Sequence, residues 1–168
     1  MTHRIRPMLP DDRAALFAIL ETIPEFSPSE VLVAKEVIDS YLKDPSGSGY
    51  TILVAELETG IAGYICYGPT PLTQGTWDIY WMATAPEKQG KGIGSSLITS
   101  AASRIKESGG RLAIIETSSR PEYEETKRFY LRHGYEVVAR IPDFYAPEDD
   151  KLILRKRLEG WQPGADLR

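Results

Sequence analysis

Apolar residues recur along this chain with two periods, and the switches between them mark its elements. Arg4-Ile5-Arg6-Pro7-Met8 predicts a short strand, after which Pro10-Asp11-Asp12 offers a capping carboxylate to a helix through about Glu21, with Leu16, Phe17 and Leu20 on its core face. Ser27-Pro28-Ser29-Glu30 is a stronger start signal, with serine as cap, proline at the first helical position and a glutamate placed to reach back; this helix runs to about Leu42. Beyond the loop Asp44 to Gly49, Tyr50 to Leu57 and Ile61 to Tyr67 flank Glu58-Thr59-Gly60 as a hairpin that Gly68-Pro69-Thr70-Pro71 ends. A strand then fills Trp77 to Ala83, Pro86 stops it, and from Ile93 the apolar positions Leu97, Ile98, Ala101, Ala102 and Ile105 return at helical spacing. Gly109-Gly110, a strand Leu112 to Thr117 and a helix from about Tyr123 to His133, closed by Gly134, come next. Tyr135 to Ile141 and Leu152 to Arg157 read as two final strands around a loop Pro142 to Asp150.

Composition narrows the classes. The chain has 168 residues, 42% of them hydrophobic and 26% charged, which suits one globular domain over 1–168 with its core in about 4–157 and a loose tail at 159–168. A net charge of -4 and a pI near 5.3 argue against a nucleic-acid partner and modestly favour cationic ones. Cys66 is the only cysteine and lies in an apolar run, so it reads as a buried core thiol in a reducing compartment, with no disulfide and no thiolate metal cluster. No apolar run reaches membrane-spanning length and Met1 to Pro10 lacks the apolar core of a signal peptide, so the expected place is the cytoplasm, with no membrane partner.

The chemistry centres on the junction of the fourth strand and third helix. A helix opening on Gly90, Gly92 and Gly94 leaves its first N–H groups unobstructed, and the macrodipole adds partial positive charge, so the junction is an anion site suited to phosphate. A dinucleotide fingerprint needs Gly-x-Gly-x-x-Gly, but Ser95 stands where its third glycine belongs; a Walker loop needs Ser or Thr after Gly-Lys, but Gly92 follows Lys91. Gln89-Gly90-Lys91-Gly92-Ile93-Gly94, between a strand with its proline and an amphipathic helix, resembles the acyl-coenzyme A loop of the GCN5-related N-acetyltransferases (GNAT). The element order resembles theirs over about Ile5 to Arg157, as does Phe129-Tyr130-Leu131-Arg132-His133-Gly134-Tyr135, an aromatic pair ending a helix before Gly and a further aromatic.

The resemblance implies an α/β (α+β) fold with a mixed, mostly antiparallel central sheet of about seven strands and helices on both faces. It also implies acetyl-coenzyme A as co-substrate and direct transfer to a primary amine in a ternary complex. Gln89, Gly90, Lys91, Gly92, Ile93, Gly94 and Ser95 would take the pyrophosphate, and main-chain groups of Met82, Ala83 and Thr84 the pantetheine arm and the developing oxyanion. Tyr130 would be the general acid that protonates the departing thiolate, with a core tyrosine beside Phe129 as the plainer reading. Tyr123 falls where many members carry an asparagine that touches the cofactor.

Two carboxylates compete as base. Glu116 ends an apolar strand, where its pKa could rise toward neutrality, and Asp78 lies inside the strand before the loop; each could equally be a satisfied structural carboxylate. His3 and His133 are poor bases by position, and without a His-x-x-x-His pair no metal is expected. The loop Pro142 to Asp150, with four carboxylates and two aromatics, suits a protonated amine, whether a small molecule or a peptide, through Asp143, Tyr145 and Asp149; otherwise it is a solvated acidic turn. A homodimer stays open, as does the alternative of a catalytically silent acyl-coenzyme A-binding sensor or scaffold.

Overall fold

The structure, a computed structural model, describes residues 2–158, so the predicted tail at 159–168 lies outside the described residues. The elements are β1 (Arg4–Pro7), α1 (Arg13–Thr22), α2 (Pro28–Lys43), β2 (Thr51–Leu57), β3 (Gly60–Pro69), β4 (Thr76–Thr84), α3 (Ile93–Glu107), β5 (Leu112–Ser118), α4 (Glu124–Arg132), β6 (Glu136–Ala146) and β7 (Asp149–Arg157). They form a mixed α/β fold around a seven-stranded sheet of order β1-β2-β3-β4-β5-β7-β6. β1 with β2, β2 with β3, β5 with β7 and β6 with β7 pair antiparallel, in keeping with the expected mostly antiparallel sheet. No helix among the described residues is long and apolar enough to cross a membrane.

The chain divides into two compact units. The first takes Met1–Pro69 and Ile79–Ala101. Period-2 alternation on β2 and β3 sends Ile52, Val54, Tyr64 and Cys66 to one face, where they pack with Leu16, Ile19 and Leu20 of α1 and Ala34, Ile38 and Tyr41 of α2. Leu53, Ala55 and Ile65 point to the other face and are fully buried too, so both faces of these strands are covered. α2 starts as its sequence requires: Ser27 Oγ accepts the Glu30 N–H and the Glu30 carboxylate accepts the Ser27 N–H.

Asp12 behaves differently from the expected cap of α1. Its carboxylate reaches back to accept the Leu9 N–H at 2.8 Å, and the Arg6 guanidinium holds it with bonds of 2.7 and 2.9 Å. Arg6 also donates to Glu56 at 3.0 Å, and Arg4 reaches the same carboxylate at 2.7 Å. Hydrogen bonds from Arg6, then Arg4, hold the Glu56 carboxyl down at about 2, and the Arg6 hydrogen bond likewise lowers Asp12. Both groups titrate lower folded than unfolded, so their stabilisation is complete above the unfolded carboxyl range near pH 4 and disappears as pH falls toward 2. Arg6→Gln should therefore lower the urea midpoint at pH 7 and lower it progressively less as pH falls toward 2, measured by circular dichroism.

The second unit takes Thr70–Asp78 and Ala102–Arg168. β7 lies between β5 and β6, and Leu152 and Leu154 of β7 are buried with Ala113 and Ile115 of β5. The predicted loop Pro142 to Asp150 is mostly strand. β6 continues to Ala146 and β7 begins at Asp149, so Pro147 and Glu148 alone connect them. Pro142 is tolerated because β6 is the sheet edge and the register breaks between Ile141 and Ala146. The acidic residues close this hairpin: Asp150 accepts the Asp143 N–H at 2.9 Å and the Arg140 guanidinium at 2.5 Å, while Asp143 accepts the Glu148 N–H at 2.8 Å.

Candidate active site

In the first unit the site is a strand end and a helix start. Ala85 N–H donates to Ala62 O at 2.8 Å, which fixes the parity of β4: Ala83 turns its main-chain groups toward β3, and Met82 and Thr84 turn theirs away. The approach at Ala83 is close. A Cβ on Gly63 would stand 2.7 Å from Ala83 O and 3.2 Å from Thr84 Cα, so only glycine fits there. Of the three predicted main-chain positions, Ala83 is thus directed toward β3, and Met82 and Thr84 turn away from it.

Past Thr84 the chain makes a single turn of tight helix at Pro86–Lys88, and Gln89 Nε2 ties the loop back to Thr84 O at 3.4 Å. Gly90 and Gly92 have φ of +75° and +79°, which other residues adopt only with strain, and a Cβ on either would meet nothing within 4 Å. Ser96 N–H donates to Gly92 O at 3.0 Å, so Gly92 caps α3 and the N–H groups of Ile93, Gly94 and Ser95 precede the first intrahelical bond. Lys91 is exposed beside them. His3 lies at the same helix start, its Nε2 2.7 Å from Ser96 Oγ.

In the second unit Tyr130 sits on α4, 6% exposed, with Phe129 and Tyr135 edge-on at ring-centroid distances of 5.4 and 5.8 Å. Burial pushes its phenol up to about 12, so it is protonated throughout the working range, as an acid must be. Tyr123 stands at the start of α4 with the Arg120 guanidinium 5.3 Å over its ring. His133 closes α4 with Nδ1 2.8 Å from Phe129 O, a helix-ending role.

Glu116 is not in the apolar surroundings that its strand suggests. Its side chain is half exposed, and Lys151, the diagonal neighbour on β7, holds it at 2.7 Å. Asp78 is partly buried and accepts the Thr70 hydroxyl at 2.6 Å. Asp149, paired with Ala146 next to the turn of the β6–β7 hairpin, is buried, bonded by Ser118 Oγ and 3.3 Å from Arg120 Nε. Asp143 and Tyr145 are exposed near its tip. Phe144 already carries an ammonium, with Lys151 Nζ 4.3 Å from its centroid. Among the described residues no three His, Cys, Asp or Glu side chains are grouped to hold a metal.

Comparison with known proteins shows the family and the fold. The acetyltransferase (GNAT) domain family matches residues 48–137, more than half of the chain. A solved structure from Desulfovibrio desulfuricans, described as a GNAT-family acetyltransferase, is 38% identical with a TM-score of 0.90, covering 94% of this chain and 99% of that one. The ribosomal-protein-S18-alanine N-acetyltransferase of Escherichia coli shares the fold at a TM-score of 0.75 and 14% identity, over 97% of this chain and 98% of that one. An aminoglycoside 6'-N-acetyltransferase solved with coenzyme A does so at 0.75 and 16%, over 95% and 99%. A search of proteins with curated functions returned no match. This chain belongs to the GNAT family of acetyltransferases.

Two residues that bear on the site were not singled out by sequence reasoning. Lys151 reaches Glu116 through strand pairing that no local pattern reveals. Tyr135 stood in the motif only as an aromatic after glycine, yet its hydroxyl is buried with no partner among the described residues.

Proposed function

We propose that this protein is an N-acetyltransferase that takes acetyl from acetyl-coenzyme A and passes it directly to a primary amine within a ternary complex. The observation that carries this reading is the α3 N-terminus, where two left-handed glycines with open space around them precede the first helical N–H groups, a short turn after β4, an arrangement that suits a phosphate. Gln89 to Ser95 take the pyrophosphate. Main-chain groups of Met82, Ala83 and Thr84 serve the pantetheine amides and the carbonyl oxygen as it gains charge. Tyr130 gives its proton to the departing thiolate, and Tyr123 supports the cofactor from the start of α4. Cys66 forms no covalent intermediate, because it is fully buried and burial pushes its thiol up.

Glu116 and Asp78 are the two carboxylates proposed to take the amine proton, directly or through water. Glu116→Gln should remove the acidic limb of the rate profile if it is the base; a limb that persists there and disappears in Asp78→Asn moves the role to Asp78. The acceptor is a small cationic amine or an exposed peptide amine, met by Asp143, Tyr145 and Asp149 around the turn of the β6–β7 hairpin.

The test is a panel of acceptors with detection of released coenzyme A thiol. Spermidine, an alanine-terminated peptide and a lysine peptide should release thiol above the no-amine rate, and glucosamine 6-phosphate should not. Tight coenzyme A binding with no release on any amine would instead make the protein a binding module, and preference for the phosphosugar would overturn the acceptor reading.

A further inference from the structure

The end of α4 brings two tyrosines together. Tyr135 N–H donates to Tyr130 O at 3.1 Å and Gly134 N–H to Leu131 O at 3.2 Å, with Gly134 at φ +89°, a helix closure that sets the side chains of its outer positions against each other. That closure explains the ring contact between Tyr130 and Tyr135, but phenylalanine would make the same contact. It does not explain the Tyr135 hydroxyl, whose oxygen is buried without a hydrogen-bond partner among the described residues. Buried polar groups in folded proteins are nearly always paired, because an unpaired one forfeits its hydration for nothing in return. Among the described residues, Lys156 of β7 stands with Nζ 5.9 Å from the Tyr135 ring centroid and Tyr130 of α4 packs edge-on against the same ring. His133 is turned to the Phe129 carbonyl and ring.

We propose that Tyr135 is a positioning residue for the transfer, its hydroxyl donating a hydrogen bond to Tyr130 Oη when that oxygen has given up its proton. This rests on Tyr130 acting as the acid. As the C–N bond forms and the C–S bond breaks, the Tyr130 proton moves to the thiolate sulfur and leaves a phenolate on a side chain that is only 6% exposed and packed between Phe129 and Tyr135. A phenolate there is costly without a donor, and Tyr135 has a donor with nothing else to serve. The phenolate then regains a proton from solvent, and the proton lost by the amine leaves through the base. Burial first, and the neighbouring Tyr130 second, push the Tyr135 phenol up, so it stays a donor while Tyr130 ionises.

The test combines spectroscopy with a mutant cycle. With 3,5-difluorotyrosine placed at position 130 to bring that phenol into range, ¹⁹F NMR titration should show Tyr135→Phe raising the midpoint by roughly half a unit or more, since the donor to the phenolate is gone. Thermal stability of Tyr135→Phe should be unchanged or higher, because the variant keeps the ring and removes an unpaired hydroxyl. With the fastest amine of the acceptor panel, Tyr135→Phe should lower kcat about tenfold with the KM for acetyl-coenzyme A unchanged. Adding it to Tyr130→Phe should cause no further loss. An unmoved or lowered midpoint at position 130, or an equal slowing in both backgrounds, overturns the proposal. A Tyr130→Phe enzyme as fast as the parent instead removes Tyr130 as acid, and the titration then judges the hydrogen bond alone.

Discussion

Tyr130→Phe should lower turnover roughly a hundredfold or more while leaving the affinity for acetyl-coenzyme A where it was. The substitution removes one oxygen and keeps a ring already packed edge-on against Phe129 and Tyr135, so folding is undisturbed and the loss belongs to chemistry. A hundredfold is about 2.7 kcal/mol of transition-state stabilisation, within the span of a positioned general acid. Because burial holds the phenol up at about 12, the parent should show no basic limb from this group below about pH 10. Single-turnover measurements, where thiol release follows transfer directly, give the comparison. A mutant as fast as the parent there would return Tyr130 to the core.

Gly92→Glu should weaken coenzyme A binding at least a hundredfold, to no detectable heat in calorimetry. Two effects act at once, and the structure separates them. The +79° φ strains any side-chain-bearing residue at position 92, at roughly 1–2 kcal/mol. The space around it is open, since a Cβ there meets no protein atom within 4 Å, so added bulk is expected to act against a ligand. Gly92→Ala carries the strain without the charge and should keep most of the affinity, whereas glutamate adds a negative charge at the N–H groups that receive phosphate. Unchanged affinity in a folded Gly92→Glu protein would remove the loop from the cofactor site.

Local signals were legible where the chain satisfies its own needs. Ser27, Pro28 and Glu30 announce the start of α2 because cap and partner lie within one turn, and the glycines before Ile93 announce α3 for the same reason. The final hairpin was not legible. Pro142 and a run of acids look like loop, and nothing nearby says that β6 is an edge strand on which proline costs no ladder bond. Nor does the local sequence show that Asp149 is buried against Ser118 and Arg120, contacts that exist only once β7 has paired with β5, or that Asp150 meets Arg140 across the hairpin. The partner of Glu116 was not legible for the same reason: an apolar strand names no ion pair, and the pairing of β5 with β7 gives it Lys151. The phenol of Tyr135 shows the limit most clearly, since a motif records an aromatic and only packing reveals an unpaired hydroxyl.

The placement of Cys66 makes this protein its own chemical reporter. Its sulfur lies on β3 beneath α1 and α2, fully buried, and burial keeps the thiol in its unreactive protonated form. A disulfide dye added to the folded enzyme should therefore count coenzyme A released by catalysis and nothing from the protein, free of background. Under urea the same dye should label one sulfur per chain, at a rate set by how often β3 and its helices part.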